Sequence, residues 1–247
     1  MKNNSKKLLL WLYPAGDQPK RRVPYQQIKW LLKDLTEAGR QSLIRLMENK
    51  QLIFTDELEG SLNLTISSHG QNLLEAEIPA LVKGAGQWQG DWSMLLFLDS
   101  PQADQSFRYL RTQLVKHNWF SLKRGVYLYP GDLPQNIKET LTKVYISHVA
   151  VVKFDQWQFG DEQIIIGQKT GLQDLIDVYS GIGKEIENLL TYFSKNKNFS
   201  NRQKSKFYSI FDRLLHTLLG DLGLITYYFP NAKSGIELLT ELQQGLS

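Results

Sequence analysis

Polar and basic side chains of the kinds that contact nucleic acid lie close together between positions 21 and 50. Arg40 and Gln41 are adjacent; arginine pairs with guanine through two hydrogen bonds, and glutamine pairs with adenine in the same way. Arg45 and Lys50 suit phosphate oxygens, which need a cation or donor but no base-edge geometry. The candidate contact residues of this segment are Arg21, Arg22, Tyr25, Gln26, Gln27, Lys29, Thr36, Arg40, Gln41, Arg45 and Lys50.

Bulk charge alone does not establish such a surface. The 247 residues carry a net charge of +4, and the isoelectric point is about 9.0. This mild excess permits a polyanionic partner without requiring one. Polar groups on one side of a helix also often do no more than face water. The elements that position these residues therefore decide between the two interpretations.

The spacing of apolar residues predicts three helices followed by a hairpin and a further helix. Thr36 is placed to cap the third helix, whose apolar stripe is Leu43, Leu46 and Met47. This order is that of a winged helix-turn-helix, in which the third helix enters the major groove. The predicted elements are helices at 6–12, 25–35 and from 36, strands at 51–55 and 61–66, and a helix capped by Ser68.

The predicted hairpin has an acidic tip. Asp56, Glu57 and Glu59 would repel phosphate groups. The basic triplet Lys20-Arg21-Arg22 is one source of compensating charge, and an ordinary solvated loop is the equally weighted alternative.

The middle of the chain alternates strands and helices in the order of the ferredoxin-like split βαβ unit. An apolar run at 93–98 predicts a buried strand, and a helix follows it. The further predicted elements are a helix at 104–116, strands at 119–122 and 125–129, a helix at 133–144 and a strand at 148–154.

The last third of the chain is predicted to be mostly helical. We expect an extra strand at 162–166, a helix at 172–192, a mobile polar loop at 194–205, and helices at 206–219 and 234–244. The predicted organisation is α+β, with a winged helix-turn-helix at 1–80, a linker at 81–91, a ferredoxin-like domain at 92–160 and a helical domain at 161–247.

Residues that could support catalysis are few. The chain has no cysteine, and its four histidines do not have metal-ligand spacing. Asp99 ends a predicted strand. A single carboxylate provides too few oxygen ligands for a divalent cation, so a turn-capping role is favoured over a metal site. Trp88 and Trp92 flank the domain boundary, where anchoring one domain on the next is favoured over stacking on a ligand.

Several segments resemble the PaaX-like regulators, the family of the phenylacetate-degradation repressor. Trp88-Gln89-Gly90-Asp91-Trp92 and Asp99-Ser100-Pro101 resemble the entry to that family's middle domain and the end of its first strand. The same family's patterns are matched by Arg108, Leu110, Arg111 and Leu114, by Leu122, Gly125, Val126, Tyr127 and Pro130, by Arg40, Leu43, Arg45 and Leu46, and by residues 218–224 with Phe229-Pro230.

The resemblance implies a DNA-binding transcriptional regulator, a homodimeric repressor of a double-stranded operator controlled by a small effector such as an acyl-coenzyme A. It implies neither an enzyme nor a cofactor. The alternative is a metal-dependent nuclease or a CRISPR-associated accessory protein, because the middle module also resembles the small CRISPR-associated nuclease subunit, with Asp99 as the metal-binding candidate. No apolar run reaches the roughly 20 residues of a membrane helix, so we expect a cytoplasmic protein without a membrane partner.

Overall fold

The computed structural model describes residues 1–15, 21–58, 60–82, 88–98, 105–196 and 200–246. In the N-terminal part, β1 pairs with β3 and β3 with β2, giving an antiparallel sheet in the order β1-β3-β2. The helix order follows the expectation, whereas β1 was not predicted. The elements are α1 (Asn3–Leu12), β1 (Val23–Pro24), α2 (Tyr25–Leu31), α3 (Glu37–Asn49), β2 (Ile53–Leu58), β3 (Ser61–Ile66), α4 (Ser68–Glu77) and α5 (Ala80–Val82).

Several predicted boundaries need correction. The second helix ends at Leu31, not Leu35, because the chain turns there toward α3. The cap of α4 is Ser67, not Ser68, and its hydroxyl accepts a hydrogen bond from Gly70 N. The first hairpin strand occupies 53–58 instead of 51–55. Three residues predicted to form the turn therefore belong to the strand.

The central part has one antiparallel sheet of four strands with the order β5-β6-β4-β7. The first strand of the unit thus lies between the third and the fourth, as the split βαβ arrangement requires. Both helices pack on one face of this sheet. The elements are β4 (Trp92–Phe97), α6 (Gln105–Lys116), β5 (Phe120–Lys123), β6 (Val126–Pro130), α7 (Gln135–Val144) and β7 (Val149–Phe154).

The C-terminal part is helical, and here two predictions are wrong. Residues 162–166 belong to a helix because Asp161 caps it and only Ile166 of its three isoleucines is buried. The predicted loop at 194–205 contains a helix start at Asn201, which Ser200 caps. The elements are α8 (Glu162–Thr170), α9 (Leu172–Asn196), α10 (Asn201–Gly220), α11 (Ile225–Tyr228) and α12 (Gly235–Gln244).

Two hydrophobic cores hold the chain together. The smaller lies between the central sheet and the helices α6 and α7. The larger joins α1–α4, the C-terminal helices and the opposite face of the central sheet. The N-terminal and C-terminal parts therefore share one core. In the predicted linker, Leu81 and Trp88 are buried in it, while residues 83–87 lie outside the described part.

No described helix is long and apolar enough to cross a membrane.

Candidate nucleic-acid interface

The third helix is held in place by a capped N-terminus and a buried stripe. The Thr36 hydroxyl accepts a hydrogen bond from Gly39 N at 3.2 Å, as predicted for this cap. Ile44 and Met47 are buried in the larger core. Because the buried residues cover one side of α3, the opposite side faces solvent.

That exposed side carries polar residues at intervals of three or four positions. Gln41, Ser42, Arg45 and Asn49 are all exposed and lie on one face of the helix. Within the described chain, the side chains of Gln41 and Arg45 make no hydrogen bond or ion pair. Sequence reasoning singled out Gln41 and Arg45 but missed Ser42 and Asn49, which helical spacing from Arg45 would have found.

Arg40 points away from this face. Its Nη1 donates to the carbonyl oxygens of Leu32 at 3.1 Å and Leu35 at 2.5 Å, and its side chain is only 14% exposed. These carbonyls belong to the turn after α2, in which Leu32 O also accepts from Leu35 N at 3.0 Å. Arg40 therefore ties the end of α2 to the start of α3, and its predicted base contact stays a prediction.

Three of the candidate residues converge on one carboxylate, Glu37, in the first turn of α3. Tyr25 Oη donates to it at 2.6 Å, Arg40 Nη2 lies 3.0 Å away and Lys29 Nζ lies 3.8 Å away. The hydrogen bond from Tyr25, followed by that from Arg40, holds the pKa of Glu37 below its usual value. This cluster fixes α2 against α3.

Two other candidates face the interior. Gln27 Nε2 donates to the carbonyl of Leu246 at 3.1 Å, and its Oε1 accepts from Trp11 Nε1. Arg21 donates to Trp11 O at 3.1 Å and lies over the Trp11 ring. Burial lowers the pKa of Arg21 to about 10. The sequence did not indicate that Gln27 and Arg21 point inward, because their partners lie in α1 and near the distant C-terminus.

The hairpin beside α3 carries a charge pair. Arg22 Nη2 lies 2.8 Å from Asp56 Oδ2, and both side chains are about half exposed. Arg22 thus offsets one of the acids of the hairpin, in line with the compensating role considered for the basic triplet. Lys20 and Glu59 lie outside the described residues. Gln26 and Lys50 are exposed at the ends of α2 and α3.

The alternative of a metal site depends on Asp99. Asp99 itself lies outside the described residues. In the described ranges, no group of three or more histidine, aspartate or glutamate side chains could hold a metal ion.

The two tryptophans at the domain boundary are packed into an aromatic cluster. The rings of Trp88 and Trp92 meet edge to face at 4.9 Å, and Trp88 lies 4.7 Å from Tyr227. Trp92 Nε1 donates to Glu162 at 3.0 Å, and Tyr228 Oη donates to the same carboxylate. These contacts join the central sheet to α8 and α11, which is the anchoring role.

A cleft of about 940 Å³ opens where the three parts of the chain meet. One wall contains Glu75 and Glu77 of α4, and Tyr13 and Lys6, respectively, are bonded to these two acids. The other wall belongs to the central part, and Leu219 of α10 closes one side. The central wall contains Lys116, His117, Asn118, Tyr129, Pro134 and Asn136.

Comparison with known proteins identifies the central part. The family model of the PaaX protein central Cas2-like domain matches residues 85–166, about one third of the chain. This match confirms the resemblance to the PaaX-like family for the central part of the chain. No curated protein matches the chain.

One solved structure that the chain resembles is that of the uncharacterized protein Rv0674 from Mycobacterium tuberculosis. The identity is 17% and the TM-score is 0.46, over 97% of this chain and 92% of that one. This similarity is too low to transfer function.

Proposed function

We propose that the protein is a transcriptional regulator that binds duplex DNA through α3. A PaaX-like central domain is typical of a regulator, and this favours regulation over the nuclease alternative. The observation that carries DNA binding is the exposed face of α3, on which Gln41 and Arg45 have no partner in the described chain. Such groups are free to meet base edges and phosphates.

The arrangement around α3 supports a winged helix-turn-helix. A sheet in the order β1-β3-β2 flanks the first three helices, with β1 between α1 and α2 and the β2–β3 hairpin after α3. This architecture presents its third helix to the major groove and its hairpin to the neighbouring backbone. The acidic hairpin makes α3, rather than the wing, the main source of attraction.

The contacts divide the candidate residues into three roles. Arg45 and Gln41 are the base-reading candidates, because arginine recognises guanine and glutamine recognises adenine. Gln26 and Lys50, which are exposed at helix ends, suit phosphates. Arg40 acts through position: it holds the turn that presents α3. Tyr25 and Thr36 share this positioning role.

We further propose a homodimer that pairs through β7. This strand forms an edge of the described sheet, and Val151 and Val152 are 37% and 42% exposed on it. Charged residues usually protect such an edge from pairing. Here the charge of Lys153 is offset by Asp91 and Asp132, so the strand suits antiparallel pairing with a second copy.

The cleft between the three parts is the proposed effector site. Ligands bind preferentially in clefts between domains, and the volume of about 940 Å³ lies within the usual range. A ligand that contacts both α4 and the central wall would change how α3 is held relative to the dimer. Such a ligand would weaken operator binding only if it favours one of the two arrangements.

A gel-shift experiment tests the proposed function directly. The DNA is the region upstream of the protein's own gene, with a scrambled duplex of the same length and composition as the control. We expect tighter binding to the upstream fragment at physiological salt. Equal affinity for the two duplexes would refute sequence-specific regulation at that site.

A further inference from the structure

A basic surface continues from α2 onto the start of α10, beyond the winged helix-turn-helix itself. The contacts between the two helices are specific. Lys204 of α10 lies over the ring of Trp30, with Nζ 5.5 Å from the centroid. Lys33, two residues after the end of α2, lies over the ring of Tyr208 at 4.3 Å. Tyr208 Oη also donates to Asp34, at the turn before α3.

This junction adjoins the start of α3. Lys29, in the last turn of α2 and four residues before Lys33, lies 3.8 Å from Glu37 in the first turn of α3. The lysines Lys29, Lys33 and Lys204 therefore follow one another from the proposed recognition helix toward α10. Each holds its ammonium over an aromatic ring, that of Lys29 over Tyr25 at 5.1 Å, and this cation–π attraction keeps the side chains in place.

The beginning of α10 is also rich in positive charge. Its first six residues, 201–206, contain three lysines or arginines and no acidic residue. Within the described chain, Arg202 and Lys206 are exposed and form no ion pair. Some other surface cations are paired, as Arg213 is with Glu185 and Lys233 with Glu241.

The acids beside this surface already have partners. Asp34 accepts from Tyr208, and Glu37 is held by Tyr25 and Arg40. Asp212 pairs with the buried Lys7 at 2.7 Å. Burial alone would lower the pKa of Lys7, but its hydrogen bonds to Asp212 and Tyr208 raise it above the usual value. Asp34 keeps its negative charge, but Lys33, Arg202, Lys204 and Lys206 outnumber it, so a local excess of positive charge is available to an anionic partner.

We propose that this α2–α10 surface, consisting of Lys29, Lys33, Arg202, Lys204 and Lys206, binds the phosphate backbone of the duplex beside the α3 contact. The proposal rests on the proposed function. It assigns the C-terminal part a direct role in DNA binding, since α10 supplies three of these cations. Phosphate contacts of this kind add affinity without sequence information, and they make binding depend on salt.

The test is the salt dependence of binding to a 30-base-pair duplex of mixed sequence. The variant Lys33→Gln/Lys204→Gln removes two proposed phosphate contacts. The matched control is Lys169→Gln/Lys184→Gln, two exposed cations of α8 and α9. We expect the slope of log affinity against log salt to fall by about 2 for the first pair only, with about tenfold weaker binding at low salt.

A third variant separates charge from packing. Lys33→Arg/Lys204→Arg keeps both charges, so it should bind like the wild type if the surface acts through phosphate contacts. Loss of binding in this variant, or equal slopes for the Gln pair and the control, would overturn the proposal. If the wild-type protein does not bind duplex DNA, the proposed function itself fails. If Arg45→Ala weakens binding while the Gln pair matches its control, only the α10 contact fails.

Discussion

The guanidinium of Arg40 and the carbonyl of Leu35 are joined across the turn between α2 and α3, with Nη1 2.5 Å from the oxygen. The same nitrogen donates to Leu32 O. Leu32 O also accepts from Leu35 N at 3.0 Å, so Arg40 reinforces a turn that the backbone itself closes. An arginine near the start of a recognition helix suggests base reading, but these contacts give it a structural task.

Replacing Arg40 by alanine is expected to destabilise the fold by about 1–2 kcal/mol, because two carbonyls lose a charged donor. Urea unfolding measures this loss. DNA binding should weaken only because the turn between α2 and α3 is less ordered. The affinity should therefore recover at low temperature, where the variant is fully folded. Unchanged stability combined with abolished binding would instead identify Arg40 as a direct base contact.

Gly90 is the second position at which substitution should be costly. Its φ is +89°, and a Cβ there would lie 2.4 Å from the hydroxyl oxygen of Tyr227, whose ring packs on Trp88. Gly131 is the matched control, because its φ is +92° with nothing within 4 Å of an added Cβ.

Both alanine variants should lose about 1 kcal/mol or more through the left-handed backbone. Gly90→Ala should lose a further 1–2 kcal/mol, about the usual cost of crowding a packed site. Thermal unfolding compares the two. Equal losses would show that the Tyr227 contact does not constrain the junction between the central sheet and α11.

A pH dependence is expected from Asp221, which is 2% exposed. Burial raises its pKa above the ordinary value of 3.8, although hydrogen bonds from Gly223 N and Tyr179 Oη act in the opposite direction. A carboxyl whose folded pKa is raised stabilises the fold fully below its unfolded pKa. That stability is lost as the pH rises through the folded value.

The variant Asp221→Asn removes this titration. The stability of the wild type relative to Asp221→Asn should therefore fall from pH 4 upward, by up to about 1.4 kcal/mol per pH unit until the folded pKa is passed. Denaturant unfolding at several pH values measures the difference. Parallel stability curves would contradict the raised pKa.

The proposed dimer gives a prediction at the edge strand. Val151→Lys places a charge on the exposed edge of β7 and should yield monomers in sedimentation experiments. Val178→Lys on α9 is the control, because Val178 is 47% exposed away from the sheet. A dimer that survives Val151→Lys must use a different surface.

The sequence predicts features that depend on local patterns better than it predicts contacts between distant segments. The Thr36 cap and the central strand order follow from local patterns, and both are present. Residues 162–166 were misassigned because three consecutive isoleucines favour a strand, whereas Asp161 and Gly171 bound a helix. A short apolar run cannot separate these alternatives.

The inward positions of Gln27 and Arg21 illustrate a second limit. Both side chains meet partners fixed by tertiary packing, Gln27 through Leu246 and Arg21 through Trp11. Polarity alone indicated a solvent-facing role for each. Periodicity places a residue on a helix face, but it does not show which other segment covers that face.

The most direct test of the account is the effect of Arg45→Ala on binding to the upstream duplex, measured by fluorescence anisotropy alongside the control Lys169→Ala. Arg45 is exposed, so stability should change by less than about 0.5 kcal/mol. Losing an arginine contact to a base should weaken binding by about tenfold to a hundredfold, while the control binds like the wild type. Equal affinities for wild type, Arg45→Ala and Lys169→Ala would contradict α3 as the DNA-reading helix.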